Sequence, residues 1–356
     1  MKKNSVKKLL SVFLCLVLTV GVFASCGKQE EEPTTTEAPT VQVTEAKREI
    51  GKNNPLTGES TLDAKMVGKR PIAIMVENSP SARPQWGLST PDMVVEGVVE
   101  GGITRMMWLY ADVNDVPKVG PTRSARHDYV ELAEGFDAIY THFGGSPYAY
   151  TTLEQDKVQD IDGVKGDGKY FKRDSSRKVS KEHTAYTKGE WLAQAIRDKK
   201  IRTDVKDGAE RLFTFSEEKR TLPGGACQSI KVEFSNSYTH TFTFKDGVYW
   251  NHMNKEEMKD ANGETMQVSN VLVLYCGTSI VPGSDKGHQD WDLSGGKGVY
   301  VSNGTYQNIT WEKGSSKNAT APLKLMDEDG KELVLNTGKS WVGFVPKDNQ
   351  GKTVIA

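Results

Sequence analysis

Basic side chains in the first half of the chain are the clearest candidates for chemistry. Arg123, Arg126, Lys172, Arg173 and Arg177 fall in loops or at expected helix starts, with Arg83 and Arg105 not far off in sequence. Arg123 and Arg126 flank Ser124, which reads as the N-cap of a helix over residues 124–135. A helix start carries unpaired N–H groups that favour an anion, and guanidinium forks add bidentate recognition of phosphate or carboxylate. The plainer reading is ion pairing with Asp128, Asp174 and nearby glutamates. A second candidate is Gly144, Gly145 and Ser146 before Pro147, where a strand turns into a helix. Glycines let a ligand approach the backbone. Ser146 could act as a nucleophile with His142, His127 or His183 as base, but the turn lacks the nucleophile-elbow pattern, and an N-cap is the simpler role. His183 sits in a polar loop.

Glu96 and Glu100 form an acidic pair beside Arg105. Residues 93–100 and 103–110 flank Gly101-Gly102, and their β-branched density favours a hairpin. A two-residue turn would set Val98 opposite Arg105 and put both glutamates diagonally beside it. A helix from Thr90 is the competing reading and keeps the glutamates on one face. No His, Cys or carboxylate spacing fits zinc, and no EF-hand loop occurs. Gly298 follows Lys297 where a P-loop needs Ser or Thr. No metal or cofactor is expected.

The elements that would carry these groups change in texture along the chain. Residues 72–76 and 137–143 read as strands, and residues 124–135, a segment from Ser146, and residues 187–199 (capped by Thr187 and Glu190) read as helices. Strand, Gly-rich turn and helix argue for an α/β unit over residues 55–205. Residues 211–350 read as short strands at 230–234, 239–244, 271–275, 299–302, 305–311, 323–326, 332–335 and 341–345. Asp246-Gly247, Asn262-Gly263, Asn303-Gly304 and Asp329-Gly330 supply turns. The fold class expected is α+β: a layered α/β N-terminal lobe packed on an antiparallel β-rich C-terminal lobe.

The N-terminus gives an address. Lys2, Lys3, Lys7 and Lys8 precede an apolar run over residues 9–22, and Phe23-Ala24-Ser25-Cys26 follows. This reads as a secretory signal (1–25) ending in a bacterial lipobox, with Cys26 lipidated. Residues 26–54, rich in Thr, Glu and Pro, form a solvated tether. The expected location is the outer face of the cytoplasmic membrane. Without residues 1–25 the chain holds 42 basic and 47 acidic residues, which gives no global argument for nucleic acid. Cys15 leaves with the signal. Cys227 and Cys276 remain, and a disulfide between them is left open.

The motifs RPIAIMVEN (70–78), ARPQ (82–85), EGGITR (100–105), GPTRSAR (120–126), GGSP (144–147) and RDSSRK (173–178) together resemble the YerB-like lipoproteins, a bacterial family of unknown function. The resemblance spans about residues 55–350. It implies a sheet-rich envelope lipoprotein with two lobes, and no assigned catalytic residues. TRMM (104–107), PTRS (121–124), YVEL (129–132) and HFGGSP (142–147) are also similar in texture to the LytR-CpsA-Psr phosphotransferases, which bind polyprenyl pyrophosphate through arginines. The metal-binding Asp that this family would place near Thr104-Arg105 is absent. The expected function is a binding module for an anionic wall component or an envelope protein. The alternative is a phosphotransferase or hydrolase on wall glycan. The site expected is Arg83, Glu96, Glu100, Arg105, Arg123, Ser124, Arg126, Gly144, Gly145, Ser146, Arg173 and His183.

Overall fold

A computed structural model describes residues 48–206, 212–314, 318 and 320–356. The signal, Cys26 and most of the tether lie outside the described residues. No described helix is long and apolar enough to cross a membrane.

Besides a short pair at Ile50–Lys52 and Leu62–Asp63, the first half holds strands β1 (Ile72–Glu77), β2 (Met93–Val98), β3 (Thr104–Tyr110), β4 (Ile139–His142), β5 (Asp160–Asp162), β6 (Lys172–Arg173) and β7 (Ala185–Tyr186), with helices α1 (His127–Gly135), α2 (Pro147–Gln155) and α3 (Gly189–Asp198). The second half adds β8 (Ser229–Ser235), β9 (Tyr238–Lys245), β10 (Val248–Met253), β11 (Glu256–Glu257), β12 (Gln267–Val268), β13 (Asn270–Ile280), β14 (Gln289–Asp292), β15 (Gly296–Ser302), β16 (Thr305–Glu312), β17 (Lys324–Met326), β18 (Ser340–Pro346) and β19 (Val354–Ile355). The described residues are mostly β, with 40% in strands and bridges and 18% helical.

One eleven-stranded sheet runs in the order β17-β16-β15-β13-β18-β2-β3-β1-β4-β5, with β14 on the end of β13. Its middle joins the halves. Strand β18 lies parallel to β13 on one side and parallel to β2 on the other. The break in sequence texture near residues 205–211 is therefore not a break in the sheet, and the second half is not purely antiparallel. β1, β2 and β3 are buried along their whole length, although Glu77, Glu96 and Arg105 interrupt their apolar stretches. Strands β8 and β16 alternate buried and open positions instead. They belong to regions with one solvated face.

Each face of the large sheet packs on different partners. Ala73, Met75, Met107 and Leu109 meet Tyr129, Leu132, Ala149 and Leu153 of α1 and α2. On the opposite face, Ile74, Val76, Met106 and Trp108 share a core with Leu192 and Ile196 of α3. Ile230, Val232, Phe234 and Phe242 join that core from a six-stranded sheet, β11-β10-β9-β8-β19 with β12 on β10. Strand β10 goes beyond the sequence reading. It follows the expected Asp246-Gly247 turn, where both residues take positive φ (54° and 81°). Cys227 and Cys276 are free, buried thiols in the two different cores, so no disulfide joins them.

The β2–β3 hairpin forms, and the helix from Thr90 does not. Its loop is one residue longer than a Gly-Gly turn: Glu100–Gly102 make a short 3-10 turn closed by Val99 N donating to Ile103 O at 2.8 Å. Gly97, not Val98, therefore lies opposite Arg105. Because side chains alternate, this single step sends Glu96 and Arg105 to opposite faces.

The helix caps also differ from expectation. Helix α1 starts at His127 with Arg126 as N-cap, and Ser124 instead donates to Phe143 O at 3.4 Å. Helix α3 starts at Gly189 behind Lys188, and Thr187 donates to Tyr170 O at 2.8 Å. Ser146 does cap α2, accepting from Ala149 N at 3.1 Å, with Pro147 in the first position.

Candidate functional site

The site grows out of a split in the sheet. Strands β1 and β4 pair in parallel only over residues 72–74 and 139–141. Beyond that the segment 121–126 enters between their carboxyl ends. It bonds to β1 through Glu77 N to Pro121 O (3.0 Å) and Arg123 N to Met75 O (2.9 Å). It bonds to the other side through Phe143 N to Arg123 O (3.0 Å), Ala125 N to Gly144 O (2.8 Å) and Ser146 N to Ala125 O (3.1 Å). Ligands in open α/β sheets gather at such carboxyl ends. The segment is so fully tied to backbone that its arginine side chains project from a rigid base.

Three of the five candidate arginines converge there. Arg105, beside the hairpin loop, is 4% exposed. Its Nη1 donates to Ser124 O at 2.9 Å and its Nε has no partner. Burial, then the neighbouring charges of Arg126 and Arg123, push this guanidinium down to about 9. Arg126 clamps Glu100 with two bonds of 2.5 and 2.7 Å and donates to Ala125 O at 2.8 Å. Burial raises the Glu100 carboxyl, but Arg126 outweighs it and holds the group below the usual carboxylate range. Arg123 lies 3.3 Å from Glu77 and 3.2 Å from Glu182, which is exposed. Its Nε faces Glu77 without hydrogen-bond geometry. Glu77 also accepts from Ser79 at 2.9 Å and sits 2.8 Å from Nδ1 of His183. Of the cluster's charged groups, Arg105, Arg126 and Glu77 are buried, Arg123 and Glu100 are half-buried, and Glu182 is exposed.

The other expected residues lie elsewhere. Glu96 is fully buried on the far face of the sheet. It meets Asn78 (2.9 Å), Thr104 (2.5 Å), His240 (3.1 Å) and Trp341 (3.0 Å). Burial pushes this carboxyl up, yet His240 and the other donors hold it below its ordinary value. Burial likewise lowers His240, and Glu96 outweighs it and raises the imidazole. This is a structural tie between the two sheets. Glu96 and Glu100 are not a working pair. Arg83 points at Met253 Sδ (3.4 Å) and lies 6.0 Å from the Tyr238 ring, on the second sheet. Arg173 bonds Lys181 O and sits 4.9 Å over Phe143.

The glycine turn positions rather than binds. Gly144 N donates to Asp162 at 2.8 Å and Ser146 N is spent on Ala125 O, so the protein's own acceptors take those donors. Both His142 ring nitrogens are engaged, by Gly144 O (2.7 Å) and Asp160 (2.8 Å). No base therefore faces Ser146 from His142.

Sequence reasoning missed Glu77, Glu182 and Asp162. Glu77 ends an apolar strand and meets a histidine 106 positions away. Its polar character at a strand end was the one visible signal. In space His127, Asp128 and Asp290 also bring ligand-type atoms within 4.8 Å of one another. Sequence separation hid that trio.

A mostly β body, two sheets joined by one core, and an arginine cluster at a split in the sheet define the class. Residues 56–202 match the family described as "Protein of unknown function (DUF3048) N-terminal domain", and residues 230–342 match its C-terminal domain. A Bacillus subtilis (strain 168) protein described as "Putative lipoprotein YerB" is 31% identical over 300 residues, covering 82% of this chain and 86% of that protein. The crystal structure of YerB from Bacillus subtilis superposes with a TM-score of 0.72 at 28% identity, over 85% of this chain and 98% of that one. The chain belongs to the YerB-like DUF3048 family.

Proposed function

We propose that the protein is an exported lipoprotein, anchored through Cys26, whose body receives an anionic group of the envelope at the Arg105–Arg123–Arg126 cluster. The observation that carries this reading is Arg105. Arg105 is a buried guanidinium with an unpartnered Nε and no carboxylate of its own, because Glu100 is closed on Arg126 and Glu77 and Glu182 lie against Arg123. An anion would supply the missing acceptor. Arg123 is the group that can open to it, because its second partner, Glu182, is 56% exposed and can swing away. Arg126 belongs to the frame, since its fork is already closed on Glu100. A phosphate or carboxylate fits the donors equally, and its source is a wall component or a partner protein.

Titration of the body with inorganic phosphate, pyrophosphate and wall fragments tests this. Arg123→Gln should weaken binding by more than about tenfold while the fold survives, since one charge-assisted bond contributes roughly 1.5–3 kcal/mol. Unchanged affinity in the variant would sink the reading. The anchor has a separate test. Cys26→Ala should release the protein from membranes or leave its signal uncleaved; unaltered attachment and mobility would count against the lipid.

A further inference from the structure

A second basic surface lies outside the arginine cluster. Residues 164–188 hold eight Lys and Arg against three Asp and Glu, a formal +5 in a chain whose total is -1. Their side chains are ordered by aromatic rings. Trp86, Tyr186 and Trp191 form a row with centroid separations of 5.8 and 5.6 Å. Lys118 lies over both Trp86 (4.0 Å) and Tyr186 (4.4 Å), and Arg177 over Trp86 (4.9 Å). Lys172 and Lys188 lie over Trp191 at 4.7 and 5.4 Å. The rings hold four cations in a strip, of which Lys118 is also paired with Asp174 at 2.5 Å, so ordering them on a polyanion costs less side-chain entropy than for free lysines. The loop between β6 and β7 adds exposed Lys178 and Lys181, with Val179, 37% exposed, between them.

We propose that this face docks the folded body onto an anionic membrane surface. Two observations favour a membrane over a soluble polyanion. The first is the apolar Val179 among lysines, the pattern of a weak interfacial contact. The second is where the chain joins the body. Arg48, the first described residue, is held by Asp112 and Asp115 at 2.6 Å each. The turn Val113–Asp115 lies beside the start of α3, where Gly189 N donates to Val116 O at 3.0 Å. A chain coming from a lipid on its N-terminal side therefore meets the body next to Lys188 and Trp191. The second of these observations rests on the proposed anchor at Cys26; Val179 and the basic strip do not.

The test uses the chain from Gly27 onward, without signal or anchor, because residues 47–356 form one compact unit with its own core. It is floated with phosphatidylcholine vesicles with and without phosphatidylglycerol, at low and high salt. The protein should bind only the anionic vesicles, and salt should release it. The variant carrying Lys172→Gln, Lys178→Gln, Lys181→Gln and Lys188→Gln should bind more than about a hundredfold more weakly, at roughly tenfold or somewhat less per lysine. Its circular dichroism and its phosphate affinity at Arg123 should not change. Val179→Ser should cost a few-fold. Equal binding to neutral vesicles, binding to neither, or an unchanged quadruple variant would overturn the proposal. So would binding to soluble polyphosphate in the absence of vesicle binding. Since the assay contains no lipid anchor, it stands or falls separately from the fate of Cys26.

Discussion

Arg126 and Glu100 show how a charged residue in a loop becomes part of the frame. Both were candidates for binding, but the bidentate bond between them closes the hairpin loop onto the N-terminus of α1. Their side chains are only 11% and 18% exposed, so removing one leaves the other poorly solvated. Arg126→Gln is expected to destabilise the fold by about 2–3 kcal/mol, the range for breaking a buried pair reduced for partial exposure. Denaturant melts would measure it. The pair also sets a pH dependence. Glu100 lies below its ordinary value of 4.5 in the fold, so its stabilisation is present above that value and fades as pH falls through the depressed one. The variant should lose less stability than the wild type between neutral pH and that acid range. Parallel curves would show that the pair contributes nothing.

At the scale of elements, the β2–β3 hairpin decides the site. A three-residue loop in place of a two-residue turn shifts every cross-strand partner by one. Arg105 then faces the α1 side, while Glu96 is committed to His240 and Trp341. The same hairpin carries a packing constraint at Gly97. A Cβ there would lie 2.1 Å from the Trp291 ring, which stacks on Phe344 and donates to Val98 O at 3.0 Å. Gly97→Ala should therefore destabilise the protein by about 1–3 kcal/mol, as overpacking does. Tryptophan fluorescence during unfolding would follow it. A neutral outcome would mean that Trp291 can move without loss.

At the scale of the molecule, the two family regions at 56–202 and 230–342 share one sheet. Strand β18, near the end of the chain, fills the gap between β13 and β2. Separating the halves would bare a long buried strand edge and both cores. Residues 48–206 and 230–356 expressed apart should each lack a cooperative melt, and co-expression should restore one. A cooperative transition in either half alone would refute this dependence. The Glu96–His240 tie adds to the coupling, since its members come from the two halves.

Much was legible in the sequence because it is local. Short strands, type I′ turns at Asp246-Gly247 and Asn303-Gly304, the Ser146 cap and the β2–β3 hairpin each follow from residues within a few positions. The apolar run over residues 72–76 was readable as a strand, and it is buried in β1. The expected export signal is likewise a local pattern, and it lies outside the described residues. What tertiary structure alone decided depends on distant partners. The insertion of 121–126 between β1 and β4, the parallel seat of β18, the capture of Arg126 by Glu100 and the Glu77–His183 contact join residues tens to hundreds of positions apart. One residue of loop length was enough to reverse which face Glu96 occupies. Composition and spacing carry no record of that register, because it is set by how the whole sheet buries its apolar faces.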